Sequence, residues 1–361
     1  MRQGKYYIPC LRWKQGEYLA IEHLPLNTKN SIMPLIEIPE IGYDFQENKE
    51  VRSIEEHLNL FTKRVNDKWG HDECFVDIHI IDTSKLLTTG QHPAIFVFDD
   101  LRLKGVQAVP VVWVNQNSSF QSAIFQTVHQ DSRGICIRIN LEEAANPTIL
   151  DSVNKLLKNC GVKVEQSDLI LDLSAPNFDP LNGFVGLVET TIRTLPYLEN
   201  WRSFGLIGTS FPASLSGVNT GLSYLPRKEW LLYKDLVANL RTLSVRIPTF
   251  GDYAVNHPEI SNLDYRFTKP KANVRYALSD RWLIARGQNV RDYGFEQHRD
   301  LCKLIIRSND YCGETFSSAD KYIYDCAKGK AGAGNLSTWR QIGTNHHIEI
   351  AVKEVANFGA S

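Results

Sequence analysis

The sequence predicts a single (β/α)8 barrel carrying a C-terminal appendix, and three observations predict it. Short apolar, β-rich runs recur eight times, each followed by a polar turn and an amphipathic stretch. Their starts lie 26 to 41 residues apart, room for one strand and one crossover helix each. No glycine-rich dinucleotide turn follows any run, which favours a closed barrel over an open doubly wound sheet.

The runs are YYIPCLRW from Tyr6, MPLIEIP from Met33, CFVDIHII from Cys74, VPVVWV from Val109, ICIRIN from Ile135, LILDLS from Leu169, GLIGTSF from Gly205 and VRIPTF from Val245. Between them, Ser53 with Glu56 forms a capping box ahead of IEEHLNLFTKRV. The stretch TILDSVNKLLKNC opens near Pro147 and stops at Gly161, a good residue for a left-handed C-terminal cap. Residues 227–240 repeat apolar side chains at three- and four-residue spacing. After residue 257 the pattern changes. KANVRYALSDRWLIARG reads as a hairpin with a Ser279-Asp280 turn, FEQHRDLCKLIIRS as a helix, CAKGKAGAGN as a surface loop and NHHIEI as a strand. The expected division is therefore a barrel over 1–257 and an appendix over 258–361 packed on it, able to cover one mouth.

Forty basic residues against forty-one acidic ones exclude a general nucleic-acid or membrane binder. No apolar run approaches the ~18 residues of a spanning helix, and no apolar core follows the charged N-terminus. Seven scattered cysteines without a C-x-x-C pair suit a reducing compartment, so a cytoplasmic location is expected.

The chemistry lies in charges set inside the strands. Glu37 falls between Ile36 and Ile38, and Asp77 and His79 alternate with Val76, Ile78 and Ile80. Arg138 falls between Ile137 and Ile139, Asp172 between Leu171 and Leu173, and Arg246 between Val245 and Ile247. Successive strand side chains point to opposite faces, so the aliphatic set faces the helices and the charged set faces the barrel axis. Two readings stand: an internal ion-pair network, or a ring around a ligand at the C-terminal mouth. On the second, Arg138 and Arg246 bind an anionic substrate, with phosphate or carboxylate groups held bidentately. Glu37, Asp77 or Asp172 then act as general acid or base, or hold one divalent ion together with His79.

TFGDYA, after the eighth run, offers Gly251 for close backbone approach and Asp252 as a base or metal ligand, against a plain Gly-Asp turn. Ser210 lacks a nucleophile-elbow context, and KGKAGAGN has the wrong order for a phosphate loop. STWRQIGTNHHIEI is expected to fold back and bring Arg340 and one histidine, His346, to the mouth. The alternative is that one of His346 and His347 is packed and the other exposed.

The motifs YYIPCLRWKQGEY, PLIEIPE, DLILDLS, SFP, IPTFGDY, NVRYALSDRWLIARGQ and STWRQIGTNHHI, in that order over nearly the whole chain, resemble those of the beta family proteins of bacteria and phages. The resemblance implies a role in phage–host conflict and includes the hairpin and C-terminal motif in the functional unit. It brings no reaction or catalytic set. Two functions follow. One is a hydrolase or phosphodiesterase-like enzyme acting on a nucleotide or nucleic-acid end. The other is a non-catalytic module that binds a protein partner through the hairpin around Ser279, Asp280 and Arg281.

Overall fold

The structure, a computed structural model, describes residues 4–259 and 269–360. Eight strands close into a parallel barrel: β1 (Tyr7–Leu11), β2 (Leu35–Glu37), β3 (Glu73–Asp77), β4 (Gln107–Trp113), β5 (Cys136–Asn140), β6 (Asp168–Asp172), β7 (Ser203–Gly208) and β8 (Thr249–Asp252). Each pairs in parallel with the next, and β8 returns to β1 through Tyr7 opposite Phe250.

Local chemistry sets the helices between them. Ser53 caps Ile54–Lys68 by accepting from the Glu56 amide, while the Glu56 carboxylate accepts from the Ser53 amide at 2.9 Å. Helix Ile149–Cys160 ends on Gly161 at φ 68°, in the left-handed region. The alternation read from sequence fixes both faces of the strands. Leu11, Ile36, Val76, Ile137, Ile139 and Leu171 join the large apolar layer under the helices. Cys10, Leu35, Phe75, Val111, Cys136 and Ile170 fill the axis.

Two elements differ from expectation. The eighth strand begins at Thr249 rather than Val245, because Pro248 has no N–H to enter the ladder with β7. Gly251 and Asp252 are therefore strand residues and not a turn. A Cβ on Gly251 would lie 2.6 Å from the Ile8 carbonyl oxygen, so strand packing explains this glycine. The terminal segment forms a helix, Leu336–Ala360, and not a strand. Apolar residues recur around its whole circumference because it is buried on several sides. Trp339 and Ile342 join the core of the C-terminal part, whereas Ile348, Ala351 and Val355 join the barrel's. Gly16, in helix Gln15–Glu22, permits that close approach: a Cβ there would lie 2.6 Å from the Arg340 Cβ.

The hairpin, β9 (Lys271–Ala277) and β10 (Arg281–Asn289), turns through Leu278–Asp280 as expected, with the Leu278 amide donating to Arg281 O at 2.8 Å. A strand absent from the sequence reading, Gly221–Pro226, adds to β10 antiparallel, so a three-stranded sheet ties the β7–β8 connection to the hairpin. One face of that sheet, Ala272, Val274 and Tyr276, packs on helices Gln297–Arg307 and Ser318–Ala327. Residues 260–268, at the start of the expected appendix, lie outside the described residues. Among the described residues, no helix is long and apolar enough to cross a membrane.

Candidate functional site

Barrel closure brings four of the strand charges to one point. Arg138, 2% exposed, donates to Glu37 Oε1 (2.8 Å), Asp77 Oδ2 (2.9 Å), Asp172 Oδ2 (3.0 Å from Nε, 2.7 Å from Nη2) and the Tyr253 hydroxyl (2.8 Å). Its guanidinium also lies 4.8 Å from the Trp113 ring. A guanidinium has five N–H donors, and five oxygen contacts take them. The anion-binding role expected of Arg138 is therefore closed to it, since its hydrogen bonds go to three carboxylates and a phenol. Burying those carboxylates would cost several kcal/mol each without this partner.

The acids are engaged to different degrees. Asp172 Oδ2 also accepts from Tyr253 (2.7 Å), and its Oδ1 accepts from the Ser174 amide (2.7 Å). Asp77 Oδ2 also accepts from Trp113 Nε1 (3.1 Å), and its Oδ1 accepts from the His79 amide and faces His79 Nδ1, both at 3.0 Å. Burial opposes the Asp77 charge, but His79 and Arg138 outweigh it and hold this carboxyl well below the usual range. Burial likewise opposes charge on His79, and Asp77 outweighs it, raising the imidazole above its usual value. Glu37 differs. Its Oε1 is taken by Arg138 and, weakly, the Cys10 thiol at 3.6 Å, while among the described residues Oε2 meets only Arg12 Nε at 3.7 Å, and the residue borders a cavity. Burial and then the Glu37 charge push the Cys10 thiol up, so it stays protonated.

Glu37, Asp77 and His79 place one donor atom each within 4.8 Å of one another, the spacing of a small cation site. Both Asp77 oxygens and one Glu37 oxygen are already hydrogen-bonded, and the Arg138 charge touches both acids. That donor set fits a divalent ion poorly.

The remaining expected site residues do not join this ring. Arg246 precedes β8 at the opposite, N-terminal end of the barrel, where it donates to Leu198 O at 2.8 Å. Its assignment to the axis fails because the strand starts three residues later and with the other parity: even-numbered positions of β8 face outward. Asp252 faces outward for the same reason, among Tyr7, Arg227 and the C-terminal helix. It accepts from Tyr7 (2.6 Å) and from His347 Nε2 (2.7 Å), with Arg227 Nη2 at 3.6 Å. It is no mouth ligand. Nor is His346, whose ring stacks on Tyr276 and faces Asp320 and the Ala277 carbonyl inside the C-terminal part. Both adjacent histidines are fully buried, because helix geometry turns them roughly 100° apart into two packed surroundings. Burial pushes the His347 pKa down although Asp252 opposes it. Arg340 does reach the mouth, donating to Val255 O (3.0 Å) and to Asn256.

Above the ring, between the barrel mouth and the hairpin, lies a cavity of about 690 Å³. Its floor is Cys10, Glu37 and Tyr253, and its roof is the second face of the hairpin, with Lys271, Asn273, Arg275 and Arg286. Alternation along β9, and the register Asn273 opposite Arg286, put these side chains on one face. The loop Phe211–Ser216 and Arg340 form two sides. Arg275 lies 4.7 Å over Phe211 and donates to Asn273 Oδ1 (3.2 Å) and Val255 O. Arg286, 7% exposed, donates to the carbonyls of Ser216 and Val218. Neither has a carboxylate partner among the described residues. Burial, and then the like charge of Arg340, drive the Arg275 pKa well down. Sequence reasoning missed both arginines, since on a hairpin they read as an ordinary solvated face. It also missed Tyr253 and Trp113, and of the histidine pair it took His346 for the mouth.

The chain matches the Beta protein family over residues 7–353. It belongs to that family. Two solved structures are similar to this family member. One is the triosephosphate isomerase of Bartonella henselae, at 12% identity and TM-score 0.34, over 68% of this chain and 90% of that one. The other is the alanine racemase of Clostridium difficile 630 in complex with cycloserine, at 12% identity and TM-score 0.28, over 77% and 59%. No curated protein sequence matches the chain.

Proposed function

We propose that this Beta protein family member binds a phosphate-bearing ligand, a nucleotide or nucleic-acid end, in the cavity between barrel mouth and hairpin, and hydrolyses it with Glu37 as general base. The observation that carries the reading is the pair of half-buried Arg275 and buried Arg286: guanidiniums on the cavity roof with no acidic partner among the described residues. A buried cation without a counter-charge is costly, and a bound phosphate would supply both the charge and bidentate acceptors. Glu37 Oε2 supports the catalytic half. It is the carboxylate oxygen on the floor with no hydrogen-bond donor within reach among the described residues.

A second reading, a binding module without catalysis, is favoured by the closed bonding of Asp77 and Asp172 to Arg138, which leaves one acid for chemistry. The phage–host role implied by the resemblance accommodates either reading. Calorimetry and turnover assays on the same variants separate them. Arg286→Ala should weaken binding of phosphate compounds at least tenfold. Glu37→Gln should keep binding and lose turnover. Ligand binding with no turnover by the unaltered protein would establish the binding module, and phosphate binding unchanged in Arg286→Ala would overturn the site itself.

A further inference from the structure

The cavity holds more positive charge than one phosphate can meet. Among the described residues its lining includes seven Lys and Arg against three Glu, and with Lys14 paired to Glu40 outside the lining an excess of three is left. Two of those Glu are already engaged: Glu17 accepts from Asn256 close to the Arg340 charge, and Glu37 accepts from Arg138. The cations without an acidic partner among the described residues gather on the hairpin wall. Lys271, Arg275 and Arg286 share one face of the hairpin, whereas Arg12 faces Glu37 at 3.7 Å and Lys14 is paired with Glu40. A single phosphate is small enough to meet one or two of these hairpin cations, whereas a chain of linked phosphates spans all three.

The same lining offers little to a magnesium ion. Mg2+ is held by carboxylates in octahedral geometry. The floor carboxylate Glu37 sits between Arg138 and Arg12, and Asp77 and His79 do not reach the cavity. A magnesium ion on the ligand would also cancel two of the charges that the arginines are placed to meet.

Resting on the reading of this cavity as a phosphate site, we infer that its ligand is a linear polyphosphate anion of three to four charges, of the nucleoside di- or triphosphate class. It is taken as the free anion and not as its magnesium complex. Arginine in a partly buried wall takes over the neutralising role that magnesium plays elsewhere. Affinity should therefore climb with each added phosphate and fall as salt rises.

The test is calorimetric titration of the full chain, in EDTA at fixed ionic strength, with orthophosphate, pyrophosphate, tripolyphosphate and a nucleoside triphosphate. The expected result is a gain of at least tenfold from orthophosphate to pyrophosphate and again to tripolyphosphate. Excess magnesium should weaken tripolyphosphate at least tenfold. Arg275→Leu should flatten the series, and the exposed Lys271→Gln should lower its upper end should Arg275→Leu fail to fold. Equal affinity across the series, or tightening by magnesium, overturns the inference and leaves the phosphate site standing. A 5′-phosphorylated oligonucleotide that binds more tightly than tripolyphosphate reassigns the cavity to a nucleic-acid end and also overturns it. Absence of binding by every anion overturns the phosphate reading as well.

Discussion

Beneath the floor of the cavity Arg138 meets three carboxylates and a phenol with all five of its N–H groups, whereas on the roof Arg275 and Arg286 meet carbonyl and amide oxygens and, among the described residues, no acid. Both regions bury guanidinium groups, so burial alone does not mark a binding site. The difference lies in the counter-charge. A buried charge whose partners are built into the same barrel is a structural element. A buried charge whose partners are missing is costly to keep, and a ligand can offset that cost.

The largest expected effect separates the two regions by sign. Arg138→Met should cost about 3–5 kcal/mol, because it strands three buried carboxylates, and chemical denaturation should read it as a lower midpoint. Arg275→Leu should stay within about 1 kcal/mol of the parent, on the stabilising side, since it removes a charge that has no acidic partner among the described residues. If both variants lose stability equally, the roof arginines are structural too and the contrast breaks.

A smaller effect sharpens the boundary of the floor. The folded pKa of His79 is raised by Asp77, so its pairing contributes fully below the unfolded histidine value of about 6.5 and is lost as pH rises through the higher folded value. Melting temperature should therefore fall between the two values as pH is raised, and His79→Gln should remove that slope. A slope that persists in His79→Gln would place the titrating group elsewhere.

The smallest effect concerns the far end of the barrel. Arg246→Ala loses one hydrogen bond to Leu198 O, worth about 1 kcal/mol or less, and should leave phosphate binding unchanged. Loss of binding there would move the anion site away from the hairpin.

Much of the floor was legible in the chain itself. Glu37, Asp77, Arg138 and Asp172 each sit between aliphatic residues in a β-rich run, and period-two alternation sends every such charge to the axis once the runs close into a barrel. The same rule misplaced Arg246, and Asp252 was taken for a turn residue, because Pro248 shifts the start of β8 and alternation carries no information about where a strand begins. The histidine pair was misread for a related reason. NHHIEI alternates as a strand would, yet the whole stretch Leu336–Ala360 is helical, being packed against both the barrel and the hairpin.

By itself, then, the sequence determined the eight-fold repeat, the inward face of the strands that carry Glu37, Asp77, Arg138 and Asp172, and the gathering of those four charges at the axis, because these follow from local spacing and from closure of a repeated unit. Only the tertiary structure decided that the hairpin lies over the barrel mouth. That placement turns Arg275 and Arg286 from an alternating polar face into the roof of a cavity, and it brings His347 to Asp252 across 95 residues of chain. Docking of one part on another depends on side chains far apart in sequence, such as Gly16 against Arg340, and no local period records it.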